Sequence, residues 1–204
     1  MRAEFRSVEL GSQPDFLLEA EAVGIDIPLT FQDGPRRACD VQARRLAPAS
    51  TVFNAPARAV VERYEEDPLL GYRELTDLNR RYQVGARGQP LGLSKQAFGL
   101  LPYIADARRI AARLGSRVLE VHPEVSFALL TGRRLAPKRT PQGRKERREL
   151  LASLGVEGLP DRVSHHCLDA AVAAFTAFLV TEGEFLMLGE ESCPLYAPRR
   201  PRYD

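Results

Sequence analysis

Leu119-Glu120-Val121-His122-Pro123-Glu124-Val125-Ser126-Phe127 sets two carboxylates and an imidazole among apolar residues. Alternation at period two predicts a strand with Glu120 and His122 on one face and Leu119 and Val121 on the other. Burying a carboxylate without a partner is costly. Such a face therefore holds a cation, a metal or a substrate, or ties its carboxylate to a nearby arginine as a structural ion pair. Pro123 supplies no amide hydrogen, so the strand ends there or lies at a sheet edge. Glu124 then falls just past the strand end, where open α/β sheets bind ligands.

Two further acids answer this segment. Asp26 ends the apolar run Ala22-Val23-Gly24-Ile25-Asp26-Ile27 just before Pro28, on the same face as Gly24. Its bland alternative is a turn-capping aspartate. Asp169 lies four residues after His165 and three after His166, on a helix that Asp161 or Ser164 starts and that runs to about Glu182. An aspartate in this Ala/Phe/Leu-rich helix is expensive to desolvate, unless it merely answers the helix dipole. The histidine doublet has no further spaced ligand and matches no zinc pattern. Oxygen ligands from separate elements suit a hard divalent cation, Mg²⁺ or Mn²⁺. The expected metal ligands are Asp26, Glu120 and Asp169; Glu120, His122 and Glu124 are the expected catalytic groups.

The complementary charge lies in residues 133–148. Lys138, Arg139, Arg144, Arg147 and Arg148 are the expected phosphate contacts, against the alternative of an ordinary solvated face. No aromatic residue interleaves with these cations, so base stacking gains no support. Cys167 beside His166 is no nucleophile pair, because adjacent helical residues do not face each other. Glycines occur singly, which excludes phosphate-cradling loops, and Ser126 lacks a nucleophile-elbow context.

At 204 residues with 44% hydrophobic content the chain reads as one globular domain, residues 1–193, followed by a Pro/Arg-rich tail, 194–204. A net charge of +2 does not by itself imply a nucleic-acid partner. Cys39, Cys167 and Cys193 form no CxxC pair and read as small buried side chains in a reducing compartment. With no membrane-spanning run and no signal-peptide core, the expected location is cytoplasmic.

The remaining pattern is α/β with few strands. A strand is expected at 3–9, a brief helix at 14–22, and helices at 36–47, 57–65 and 72–83. Residues 85–92 read as the most mobile loop. One helix begins after Ser94 and a separate longer one follows Pro102 and stops near Gly115. A short helix at 124–130, a basic loop at 131–143, a basic helix at 144–154 and a strand at 185–188 complete it, with a poorly ordered tail from Pro194.

The chain resembles the DUF429 family of predicted nucleases with a ribonuclease H-like fold. The resemblance rests on Gly24-Ile25-Asp26-Ile27-Pro28, Arg37-Ala38-Cys39-Asp40 with Arg44, and Ser50-Thr51-Val52-Phe53 with Pro56 and Arg58. It continues through Gly92-Leu93-Ser94-Lys95-Gln96, Glu120-Val121-His122-Pro123-Glu124 with Phe127, Lys138-Arg139-Thr140 with Gly143 and Arg147, and Leu168-Asp169-Ala170. It implies a mixed sheet flanked by helices, with Asp26, Glu120 and Asp169 at metal-binding positions, Glu124 as a fourth acid, and phosphodiester hydrolysis of DNA or RNA. Two departures point to reduced activity. The family's opening strand with Gly-Val-Asp-Gly has no counterpart, so the domain reads as N-terminally shortened, and His165 and His166 stand where the family often carries acids. The alternatives are a non-catalytic nucleic-acid-binding or scaffold protein, and a hydrolase of a small phosphorylated metabolite.

Overall fold

A computed structural model describes residues 15–48, 50–160 and 162–199. Among them the chain forms seven α-helices and two two-stranded sheets, a mixed α/β architecture. The strand expected at 3–9, and Asp161 as a helix start, lie outside the described residues.

A short 3₁₀ turn, Asp15–Glu19, precedes β1 (Val23–Ile25). Then come α1 (Ala38–Leu46), α2 (Arg58–Glu66), α3 (Tyr72–Tyr82) and α4 (Lys95–Leu114). β2 (Val118–Glu120) runs into α5 (Pro123–Thr131), α6 (Pro141–Ser153) and α7 (His165–Thr181). The hairpin β3 (Phe185–Glu190) and β4 (Cys193–Pro198) closes the described chain. β1 pairs with β2 in parallel, Val23 opposite Val118 and Ile25 opposite Glu120. A single parallel bridge, Val121 to Tyr196, joins β2 to β4, so the strands run β1–β2–β4–β3.

Local chemistry sets most of the helix ends. Ser94 and Ser164 accept hydrogen bonds from the Ala97 and Cys167 amides as N-caps, and Thr140 accepts from Gly143. Pro123 ends β2 but also opens α5, because a first-turn residue has no amide bond to lose. Gly115 closes α4 at φ 63°, a left-handed angle that glycine adopts without a Cβ penalty.

Three expectations are corrected. The two helices expected on either side of Pro102 are one helix, α4, whose buried face runs from Ala97 and Leu101 through Ile104 to Ala107. That packing holds the helix together across the missing amide. α6 starts at Pro141, inside the expected loop, and Gly143 makes this possible. A Cβ there would stand 2.2 Å from the Pro137 carbonyl oxygen. In the loop at 85–92 the Gly85 amide donates to the Gln89 carbonyl at 2.8 Å and the Leu91 amide to the Gln83 carbonyl at 2.9 Å. Residues 194–198, expected within a poorly ordered tail, lie in β4 with Leu195 and Ala197 buried.

The described buried apolar residues form four clusters, one of them joining α1 and α5 to the β3–β4 hairpin through Ala43, Val125, Leu188 and Leu195. Val60, Val61, Leu75, Leu101 and Ile104 bind α2, α3 and α4 together. Phe127, Leu151, Leu168 and Val172 bind α5, α6 and α7. Between these lies the end of the β1–β2 pair.

Candidate functional site

β1 lies directly on α7. A Cβ on Gly24 would stand 2.3 Å from the Ala173 carbonyl oxygen, so only glycine allows this approach. Asp26 follows two residues later on the same side of the chain, and Asp169 precedes Ala173 by one helical turn. The two carboxylates are thereby brought into electrostatic contact. Crowding by protein, and then the negative charge of Asp169, push the Asp26 carboxyl up to about 8, with Lys138 acting the other way. Asp26 is nonetheless exposed at the surface. Asp169 is 7% exposed; its Oδ2 accepts a hydrogen bond from Lys138 Nζ at 2.6 Å, while its buried Oδ1 has no partner.

Glu120 stands behind this pair and is held differently. Its oxygens accept from Arg37 Nη1 at 2.9 Å, from Arg37 Nη2 at 2.8 Å and from the Leu29 amide at 2.8 Å. Arg37 also grips Asp40, with Nε donating to Oδ2 at 3.0 Å, and donates to the Thr30 carbonyl at 3.0 Å. The guanidinium is 3% exposed. Burial alone would lower its pKa, but Glu120 and Asp40 together hold it well above the ordinary range, so it stays charged. A buried pair of this kind is strongly destabilising to break by one partner, at about 3–5 kcal/mol. Glu120, expected as a metal ligand, is thus found in the arginine ion pair that the sequence left open as its alternative.

His122 is the residue before α5. Its Nε2 lies 3.1 Å from the Thr51 carbonyl, which can only accept, so Nε2 carries the hydrogen. Nδ1 then holds a lone pair, buried and without a partner. Burial lowers the imidazole pKa and keeps it neutral. Asp26, Arg37, Asp40, Glu120 and His122 line one narrow crevice with about 20 Å³ of space, room for a single water or small ion.

Glu124 accepts both its bonds from Arg147 Nη2, each at 2.8 Å. Arg147 is 1% exposed, donates to the Ala136 and Gly143 carbonyls, and lies over the Phe127 ring. The expectation that Arg147 meets phosphate is corrected: it is an interior cation that fixes α5 to α6. Lys138 turns to Asp169. Arg139 and Arg144 remain at the surface, where Arg144 donates to the Arg139 carbonyl at 2.7 Å. Arg144, Lys145 and Arg148 join Arg162, which sequence reasoning passed over, around a groove of about 570 Å³ at the start of α7. Among the described residues, none that lines that groove is acidic. Arg162 is distant in sequence from the basic run, and only the docking of α6 on α7 reveals it.

Two arrangements bear on a metal. Cys39, Asp40 and Glu120 offer ligand atoms within 4.8 Å of one another among the described residues. Arg37 already neutralises both carboxylates there, so that triad does not fit a resident ion. Asp26 and Asp169 are the better fit: both are hard oxygen donors, Asp26 raised by burial and then by like charge, and Asp169 with a buried oxygen that nothing satisfies, but a cation there would have to displace or share Lys138.

A family model described as a protein of unknown function (DUF429) matches residues 12–193. Neither the curated proteins nor the solved structures yield a match. Among the described residues no helix is long and apolar enough to cross a membrane.

Proposed function

The chain belongs to the DUF429 family, and from that premise we propose that it is a divalent-metal-dependent hydrolase of phosphodiester bonds in DNA or RNA, on a ribonuclease H-like core. The unsatisfied Oδ1 of Asp169, beside the raised carboxyl of Asp26, carries this reading. Asp26 and Asp169 would hold Mg²⁺ or Mn²⁺, which would supply Lewis-acid stabilisation of charge on the phosphate and a more acidic water. His122, fixed as the Nε2–H tautomer by Thr51, presents Nδ1 as a proton acceptor in the same crevice. Glu120 and Glu124 act from behind, as positioning residues anchored by Arg37 and Arg147. Lys138 neutralises Asp169 in the resting protein and is within reach of an arriving phosphate oxygen.

The test is cleavage of labelled DNA and RNA in Mn²⁺ or Mg²⁺, with EDTA and Asp169→Asn as controls. Cleavage lost in both controls, with a calorimetric metal-binding signal that Asp169→Asn also loses, is the expected result. No metal binding at millimolar concentration overturns the proposal.

A second reading, a non-catalytic nucleic-acid-binding protein that keeps the fold, is favoured by one observation. Lys138 lies 2.6 Å from Asp169 and Arg37 grips Glu120, so the protein's own cations already serve these acids. That reading expects nucleic-acid binding that persists in EDTA with no cleavage.

A further inference from the structure

Cys39 and Cys193 are 154 residues apart in sequence, yet their sulfurs lie 3.3 Å from each other. Both are buried, and neither is in a disulfide. Gly189, at φ 90°, creates the approach. A Cβ there would stand 2.8 Å from Cys39 Cβ and 2.6 Å from the Cys193 carbonyl oxygen, so glycine lets the first turn of α1 sit against the hairpin. Gln42 Oε1 accepts from the Gly189 amide at 3.1 Å and secures it. The Thr30 hydroxyl lies 3.1 Å from Cys193 Sγ, oriented as a donor.

From this geometry we infer that Cys39 and Cys193 form an oxidative modification site, a dithiol that a hydroperoxide converts to a disulfide bridging α1 and β4. This inference stands independently of the hydrolase reading.

Cys193 is the sulfur that reacts first. It is the first residue of β4, one step from the exposed hairpin turn at 191–192, so a small oxidant needs only a local opening to reach it. The hydrogen bond from Cys39, then that from Thr30 and the charge of Arg37, lower the Cys193 thiol to about 6, and the same contact pushes Cys39 up. The Cys193 thiolate attacks the peroxide, forming an S–O bond as the O–O bond breaks, and leaves a sulfenic acid with one water or alcohol released. Cys39 sulfur then attacks Cys193 sulfur; the S–S bond forms, the S–O bond breaks, and the Cys39 proton leaves in a second water. The two thiols lose two electrons, which the hydroperoxide takes up. A dithiol reductant reverses the change.

The test treats the full chain with hydrogen peroxide in EDTA, then counts thiols after denaturation and maps the peptides. Expected are a fall from three free thiols to one, a peptide pair joined through Cys39 and Cys193, and a Tm raised by the link and restored by dithiothreitol. Cys167→Ser should form the same link. In Cys39→Ser, Cys193 should be labelled by a sulfenic-acid reagent. Three surviving thiols, dimers joined through Cys167, or sulfinic acid at Cys193 without the link would each overturn the inference. The wild-type mapping decides it whether or not Cys39→Ser folds.

Discussion

The imidazole of His122 has one nitrogen engaged by Thr51 and the other buried without a partner. Folding holds its pKa below the ordinary value, so between the folded and unfolded pKa the unfolded chain binds the extra proton. The stability this neutral ring contributes is therefore present above about pH 6.5 and is lost as pH falls through that window. His122→Gln keeps an amide donor for Thr51 and removes the titration. Thermal unfolding in EDTA from pH 7 to pH 5 should fall less steeply for the variant than for the wild type; parallel curves would assign the acid sensitivity elsewhere. The same residue shows what a sequence can say at this scale. That Glu120 and His122 need partners follows from their apolar neighbours. Which groups answer them, Arg37 and the Thr51 carbonyl, depends on chain segments 83 and 71 residues away.

At the scale of elements, the contact of β1 with α7 has no slack. Gly24→Ala would press a methyl group into the Ala173 backbone, which cannot rotate aside as a side chain could. A loss of about 2 kcal/mol or more is expected from such overpacking, read as a lower urea midpoint with an unchanged m-value. Because β1 delivers Asp26 to Asp169, the variant should also weaken metal binding. Helix ends are legible wherever neighbouring residues decide them, as at Ser94, Gly115 and Ser164. Pro102 misleads because its local penalty is outweighed by apolar packing along α4 that no local pattern displays. The hairpin strand β4 was hidden for a similar reason: its prolines read as tail until β3 and β2 are seen to flank it.

Across the described residues, the carboxylates at the ends of β1 and β2 are met by their own buried or half-buried cations, whereas Arg144, Lys145 and Arg148 of α6 face a groove beside α7. Replacing Arg144, Lys145 and Arg162 together by alanine should weaken oligonucleotide binding about equally for all sequences. The slope of log K against log salt should shrink by about 0.7 for each single-strand phosphate the variant no longer neutralises. Asp169→Asn should leave that slope unchanged, which separates recognition from chemistry. An unaltered slope in the triple variant would place the nucleic acid elsewhere or nowhere. The acids were singled out by their place among apolar residues, but charge patterning alone could not separate the buried Arg147 from its exposed neighbours. Arg37 has a consequence for the order of folding. Its guanidinium bonds at once to Thr30, Asp40 and Glu120, while Glu120 also holds the Leu29 amide. Asp40 is three residues from Arg37 and can meet it locally, but Glu120 reaches the same guanidinium only when a segment 83 residues away arrives. Removing Arg37 would therefore cost the loop after β1, the start of α1 and the end of β2 their shared anchor in one step.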